Sequence, residues 1–85
     1  MTEKEFDKVC AKALKEIIDA YKHNNKCLRI GQVTFNVLYK TFKKYDFSYF
    51  HDVTGNTMVD PFYNDKNTIK FIKTTVNHFK PIFVK

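Results

Sequence analysis

Tryptophan is absent from the 85 residues, arginine occurs once, and glycine, proline and cysteine occur twice each. Each scarcity excludes a class. So little Gly and Pro rules out a collagen-like, linker or low-complexity chain, and makes Gly31, Gly55, Pro61 and Pro81 structural punctuation. Cys10 and Cys27 are too few and too far apart for a disulfide framework, and read as buried or half-buried thiols in a reducing cytosol. No apolar run approaches the roughly 18 residues that signal a transmembrane helix, and no basic-then-apolar leader with a small-residue cleavage site is visible. The expectation is a soluble protein inside the cell, with no membrane partner.

Apolar residues are plentiful: 44% of the chain is hydrophobic, including nine Phe and five Tyr. That supply places it among globular proteins and outside the disordered class. One domain, 1-85, is expected, folding without metal, cofactor or disulfide. A chain this short buries roughly 60 to 65% of its unfolded surface, and an enclosed catalytic cleft would compete with the core for the same side chains. Fifteen Lys and Arg against nine Asp and Glu give a formal charge of +6, which favours acidic partners. The charge rests almost wholly on Lys, without the Arg that grips phosphate and guanine bidentately. The abundance of Lys, Asn, Phe, Tyr and Ile also fits codon usage in an AT-rich genome.

Hydrophobic periodicity predicts a first helix over residues 2 to 24. Phe6, Val9, Cys10, Ala13, Leu14, Ile17, Ala20 and Tyr21 fall within an arc of about 140°. Thr2 and Glu5 form a capping box at its start, and Asn24-Asn25 supplies a left-handed stop. A second helix is expected from about 32 to 44. It gathers Phe35, Leu38, Tyr39, Phe42 and Tyr45 on one arc and leaves Val33 and Val37 on the polar side. The alternation of Val33, Phe35, Val37 and Tyr39 keeps open an α+β alternative with residues 28-39 as a strand.

Asp46 is placed to cap a short helix across Phe47 to Val53, ended by Gly55. After a loop, Asp60-Pro61 fixes a turn, and Phe62 and Tyr63 bring two rings that need burial. Asn64 or Asp65 then caps a last helix whose core stripe is Ile69, Ile72, Val76 and Phe79, with Pro81 as its stop. Ile82-Phe83-Val84 is an apolar tail that folds back or forms a contact. The expected fold is a mostly α bundle of three main helices plus a short one.

Candidate chemistry is sparse. His23 and Cys27 are four apart, but the intervening Asn24-Asn25 breaks the helix and no second ligand pair follows, so no metal site is assigned. His51-Asp52 and His78 lack a nucleophile in a recognisable elbow and read as exposed helix residues; no catalytic residue is assigned and the protein is expected not to be an enzyme. Asp60, Asn64 and Asp65 read as a turn and a helix cap in preference to a cation site. Arg29 is assigned a salt bridge to Asp60 or Asp65 in preference to an anion site at the second helix. Lys40, Lys43 and Lys44 form one basic ridge and Lys66, Lys70 and Lys73 another, which could track a phosphate backbone with Tyr45, Tyr49 or Tyr63 as stacking surfaces.

Three segments, Arg29-Ile30-Gly31-Gln32, Asn36-Val37-Leu38-Tyr39 and Gly55 through Asp65, together carry a resemblance. They resemble short phage and prophage proteins of unassigned function that share Arg-x-Gly-Gln, then Asn-x-Leu, then Gly-Thr leading to Asp-Pro-Phe-Tyr-x-Asp. The likeness covers residues 28 to 72, with one extra residue separating Gly55 from Thr57. It implies a helical phage-encoded domain in the cytoplasm of a bacterial host. The function expected is a non-catalytic accessory protein that binds a host or phage macromolecule, with a host protein as the target it would modulate or inhibit. A lysine-rich nucleic-acid-binding protein is the alternative. Arg29, Gln32, Asp60, Phe62, Tyr63 and Asp65 are the candidate partner-binding residues or structural clasp, and the two lysine ridges are the candidate nucleic-acid contacts.

Overall fold

The computed structural model describes residues 1–23 and 28–84. Helix α1 spans Glu3–Lys22, α2 Ile30–Phe42, α3 Phe47–Val53 and α4 Thr68–Phe83, with a single 3-10 turn over Asp65–Asn67 leading into α4. Among the described residues there is no strand, so residues 30 to 39 are helix and the α+β alternative is set aside.

The start of α1 follows from its sequence. The Thr2 hydroxyl accepts from the Glu5 N–H at 3.2 Å, and the Glu5 carboxylate accepts from the Thr2 N–H at 3.0 Å, so two orphan donors are satisfied reciprocally. At its other end the His23 N–H reaches Asp19 O. The Asn24-Asn25 stop and Cys27 lie outside the described residues.

Helix α2 is the centre of the molecule. Its rings meet those of α4 in order, Phe35 on Phe71 at 5.6 Å and Phe42 on Phe79 at 4.6 Å, so the two helices run parallel. Helix α1 runs antiparallel along one flank, with Phe6 against both Phe42 and Phe83. Helix α3 closes the other flank, where Phe50 reaches Phe35, Phe71 and Phe79. A helix covered on two flanks has no polar side of the ordinary width. Val33 and Val37, expected among the polar residues, are therefore buried, while Tyr45 lies beyond the helix and is exposed. The helix also begins earlier and ends earlier than the expected 32 to 44.

Helix α4 differs from expectation in two ways. Its buried face is Thr68, Phe71, Thr75, Phe79 and Phe83. Ile69 is 63% exposed, and Ile72 and Val76 are only partly buried. Two of the five buried positions are threonines, which an apolar periodicity does not register, so the expected stripe shares only Phe79 with the buried face and lies to one side of it. Thr75 is buried because its hydroxyl pairs with Tyr49 Oη at 2.8 Å. Pro81 does not stop the helix, which continues to Phe83. The Phe83 ring lies 5.5 Å from Phe6 and 4.5 Å from Tyr45, and the Met1 ammonium donates to Phe83 O at 2.8 Å. Burial of that ring carries the backbone past a proline whose missing N–H falls on the exposed side.

Candidate functional site

The Arg-x-Gly-Gln and Asp-Pro-Phe-Tyr-x-Asp segments meet at the N-terminus of α2. The first-turn N–H groups of a helix have no partner within it. Here Gln32 Oε1 accepts from the Arg29 N–H at 3.0 Å, and Asp65 Oδ1 accepts from the Gly31 N–H at 3.0 Å across 34 positions of sequence. Arg29 completes the tie by donating to Phe62 O at 2.7 Å, with its Nε 3.6 Å from Asp65 Oδ1. The expected salt bridge thus goes to Asp65. Gly31 is required by close approach: a Cβ there would sit 1.9 Å from Pro61 O.

Asp60 has a different task. Buried in the loop, it accepts from the Gly55 N–H at 2.7 Å with Oδ2 and from the Phe62 N–H at 2.8 Å with Oδ1. Gly55 takes the left-handed φ of 84° that turns the chain after α3, as the sequence implied. Asn67 ties the loop further, donating to Thr57 O and Asp60 O. Asn64 accepts from the Lys66 N–H and opens the 3-10 turn ahead of α4. The clasp is therefore structural, with one exception. Phe62 is half-buried against Phe35, but Tyr63, expected to be buried, is 72% exposed. The loop turns its ring outward because the backbone of Phe62 is held inward by Asp60 and Arg29.

The lysines do not converge. Helices α2 and α4 face each other through Phe42 and Phe79; Lys40 lies about 160° around α2 from that contact and Lys43 about 100°, on the Tyr39 side, while Lys70 and Lys73 lie about 180° and 120° around α4. The pairings of Phe35 with Phe71 and Phe42 with Phe79 set Lys40, Lys43 and Lys44 toward the C-terminal end of the helix pair and Lys66, Lys70 and Lys73 toward its N-terminal end. Lys40 pairs with Glu16, Lys43 lies 5.2 Å from the Tyr39 ring centre, and Lys44 lies at the same distance from Tyr45. Lys66 is exposed within the 3-10 turn. Of the proposed stacking rings, Tyr49 is occupied, bonded to Thr75 and stacked on His78 at 4.3 Å. Burial pushes the Tyr49 hydroxyl above its ordinary value, partly offset by the bond to Thr75.

His78 is not the exposed helix residue expected. Its Nε2 lies 2.8 Å from Asp46 Oδ2, and Asp46 also accepts from Ser48 Oγ and the Tyr49 N–H, capping α3 as the sequence implied. The carboxylate stands between hydroxyl and imidazole, so the imidazole is not positioned to take the Ser48 proton. The imidazole and the Ser48 hydroxyl hold the Asp46 carboxyl below its ordinary value. His51 remains exposed beside Asp52. Cys10 is half-buried, and burial, with Asp7 nearby, raises its thiol above the usual range. Among the described residues, no cluster of three metal-ligating side chains occurs and no helix is long and apolar enough to cross a membrane.

Two features were not foreseen. The first is a seam between α1 and α4. Lys80 bonds Glu3 at 2.8 Å, which fixes the edges of the two helices that meet. Glu3, Leu14, Ile18 and Tyr21 share about 60° of α1, and Ile69, Ile72, Val76 and Lys80 share about 80° of α4. Leu14, assigned to the core from periodicity, is 42% exposed, and Ile18, Tyr21 and Ile69 are exposed with it. Lys15, Lys22 and Lys73 border this edge, and Asp7 lies within it near Lys80. The second is an aromatic cleft of about 350 Å³ between α2 and α3, lined by Phe35, Tyr39, Phe47, Phe50, His51 and Thr54. Exposed Phe47 was the available signal for the cleft, since it precedes the buried positions of α3 without belonging to them. No family model, curated protein or solved structure matches this chain.

Proposed function

We propose that this domain is a non-catalytic phage or prophage accessory protein that acts by binding, and so modulating, a host or phage protein. The observation that carries this reading is the α1/α4 seam. A chain this small, with so much apolar surface to bury, leaves Leu14, Ile18, Tyr21 and Ile69 in water along one edge. Contiguous exposed apolar side chains rimmed by polar ones are the usual mark of a protein contact. Lysines on both helices border the seam, so the complementary partner presents an apolar strip flanked by acidic residues, such as one face of an amphipathic helix. A second copy of the chain is a poor occupant, since it would bring two lysine rims and two charges of +6 together. The likeness of the Arg29 and Asp60 segments to phage proteins supports the setting.

The test is capture from bacterial lysate, with and without nuclease, by the parent and by an Ile18→Ser/Ile69→Ser variant. The expected result is a protein retained by the parent after nuclease treatment and lost from the variant. Equal capture by both, or capture that disappears with nuclease, would overturn the reading.

A further inference from the structure

The aromatic cleft on the opposite flank has a chemistry unlike that of the seam. One wall is α2, where Phe35 and Tyr39 lie one turn apart with ring planes only 11° from parallel. The other is α3, where Phe47, His51 and Thr54 follow helical spacing and Phe50 closes the floor. Phe47 stays 59% exposed although its ring meets Tyr39 edge to face at 6.1 Å. A smaller recess of about 150 Å³, sharing Phe35 and Thr54, continues the cleft to Phe62 and Tyr63. The walls are ring faces and edges, a surface suited to flat π-systems. The main recess falls at the small end of the roughly 300 to 1,000 Å³ typical of ligand sites.

The lip supplies a cation. Lys43 follows Tyr39 by one turn, with its ammonium 5.2 Å from that ring. Asp46 is engaged by His78, Ser48 and the Tyr49 N–H, and the Asp52 carboxylate lies 3.9 Å from the His51 imidazole on the α3 wall, while Lys43 stands on the α2 side. An aromatic recess with an exposed ring face and an ammonium at its rim calls for a ligand that joins a flat ring to an anion. A nucleotide unit does this, whereas an aromatic protein side chain is attached to a neutral backbone. The outward Tyr63 ring at the far end offers a surface for a neighbouring base.

We infer that the α2/α3 cleft is a stacking site for single-stranded nucleic acid, with a base on the exposed Phe47 ring, a phosphate at Lys43, and an adjacent base on Tyr63. The inference goes beyond the protein-binding reading and does not rest on it. The nucleic-acid contact expected from the sequence is thereby relocated: of the six lysines in the two ridges, Lys43 stands at this site.

The experiment is fluorescence anisotropy of a labelled oligothymidylate at low salt. Phe47 and Tyr63 are largely exposed, so Phe47→Ala and Tyr63→Ala leave the melting curve nearly unchanged, and each weakens binding roughly five- to a hundred-fold. Lys43→Gln lowers the slope of log affinity against log salt by about 0.7. Leu14→Ala, on the seam, leaves oligonucleotide binding unchanged. Absence of saturable binding, or equal affinity of the Phe47 and Tyr63 variants and the parent, would overturn the inference. So would loss of a captured protein, instead of the oligonucleotide, on Phe47→Ala. Failure here with intact seam capture would leave the protein-binding reading standing, and the converse pattern would separate them the other way.

Discussion

The two flanks of the α2/α4 pair are closed by different forces. On the α3 side, Asp46, Asp60, Asp65 and Asn67 each hold backbone groups by directional bonds, so the loop has one geometry. On the α1 side, the polar ties are ion pairs from Lys40 to Glu16 and from Lys80 to Glu3 and a bond from the Met1 ammonium to Phe83 O, and the rest is apolar burial through Phe6, Ala13 and Ile17. Exposed ion pairs contribute little, so α1 is held mainly by its buried face. Loop and cap carboxylates fix the geometry of one flank, while the flank held by apolar contact has aliphatic surface to spare.

The common core between the flanks should respond most strongly. Phe79→Ala is expected to cost about 3 to 5 kcal/mol, because its fully buried ring touches Phe42, Tyr49 and Phe50. Leu14→Ala, of similar chemistry but on the wet edge of α1, should cost under about 1 kcal/mol. Urea midpoints measure both, and equal losses would erase the distinction between core and seam.

On the polar flank, Asp60→Ala strands the Gly55 and Phe62 N–H groups and is expected to cost on the order of 2 kcal/mol or more. No single polar residue of α1 should approach that. A denaturation midpoint unmoved by Asp60→Ala would mean that the loop is not held by its carboxylate.

Acid should separate the flanks as well. The Asp46 carboxyl is depressed in the fold, chiefly by His78, so its contribution is complete above the ordinary value of 3.8 and is lost as pH falls through the lower folded value. Asp46→Asn should therefore lie below the parent in stability at neutral pH and converge on it in strong acid. Urea midpoints taken across that range check the sign, and a gap that widens toward acid would contradict it.

The smallest effect concerns Thr34, whose buried hydroxyl has no hydrogen-bond partner among the described residues. Thr34→Val keeps the shape and removes the orphan, so stability should stay level or rise by up to about 1 kcal/mol. A loss of more than that in a thermal melt would show that the hydroxyl has a partner after all.

Much of the fold could be read from local signals. The Thr2 and Glu5 box, the Asp46 cap, the Gly55 turn and the Arg29 to Asp65 tie are short-range or charge-paired features, and each stands where the sequence implied. The misreadings are all tertiary. Val33 and Val37 became core because α2 is covered on two flanks, Thr68 and Thr75 because hydroxyls found partners, and Leu14 and Ile69 became surface because periodicity cannot tell the middle of an apolar face from its edge. The aromatic cleft was not legible for the same reason, since it joins i, i+4 positions of two helices whose adjacency no single helix encodes.

Amide exchange at Gly31 tests the division between the flanks most directly. Its N–H is a first-turn donor that only a loop carboxylate satisfies, so in the parent it should be protected well beyond an uncapped first-turn amide. In Asp65→Ala that protection should disappear together with about 0.5 to 2 kcal/mol of stability, while the α1 amides keep theirs up to the lowered global limit. Rapid exchange at Gly31 in the parent, or no change on Asp65→Ala, would show that the loop does not clasp α2 and that the polar flank is no more fixed than the apolar one.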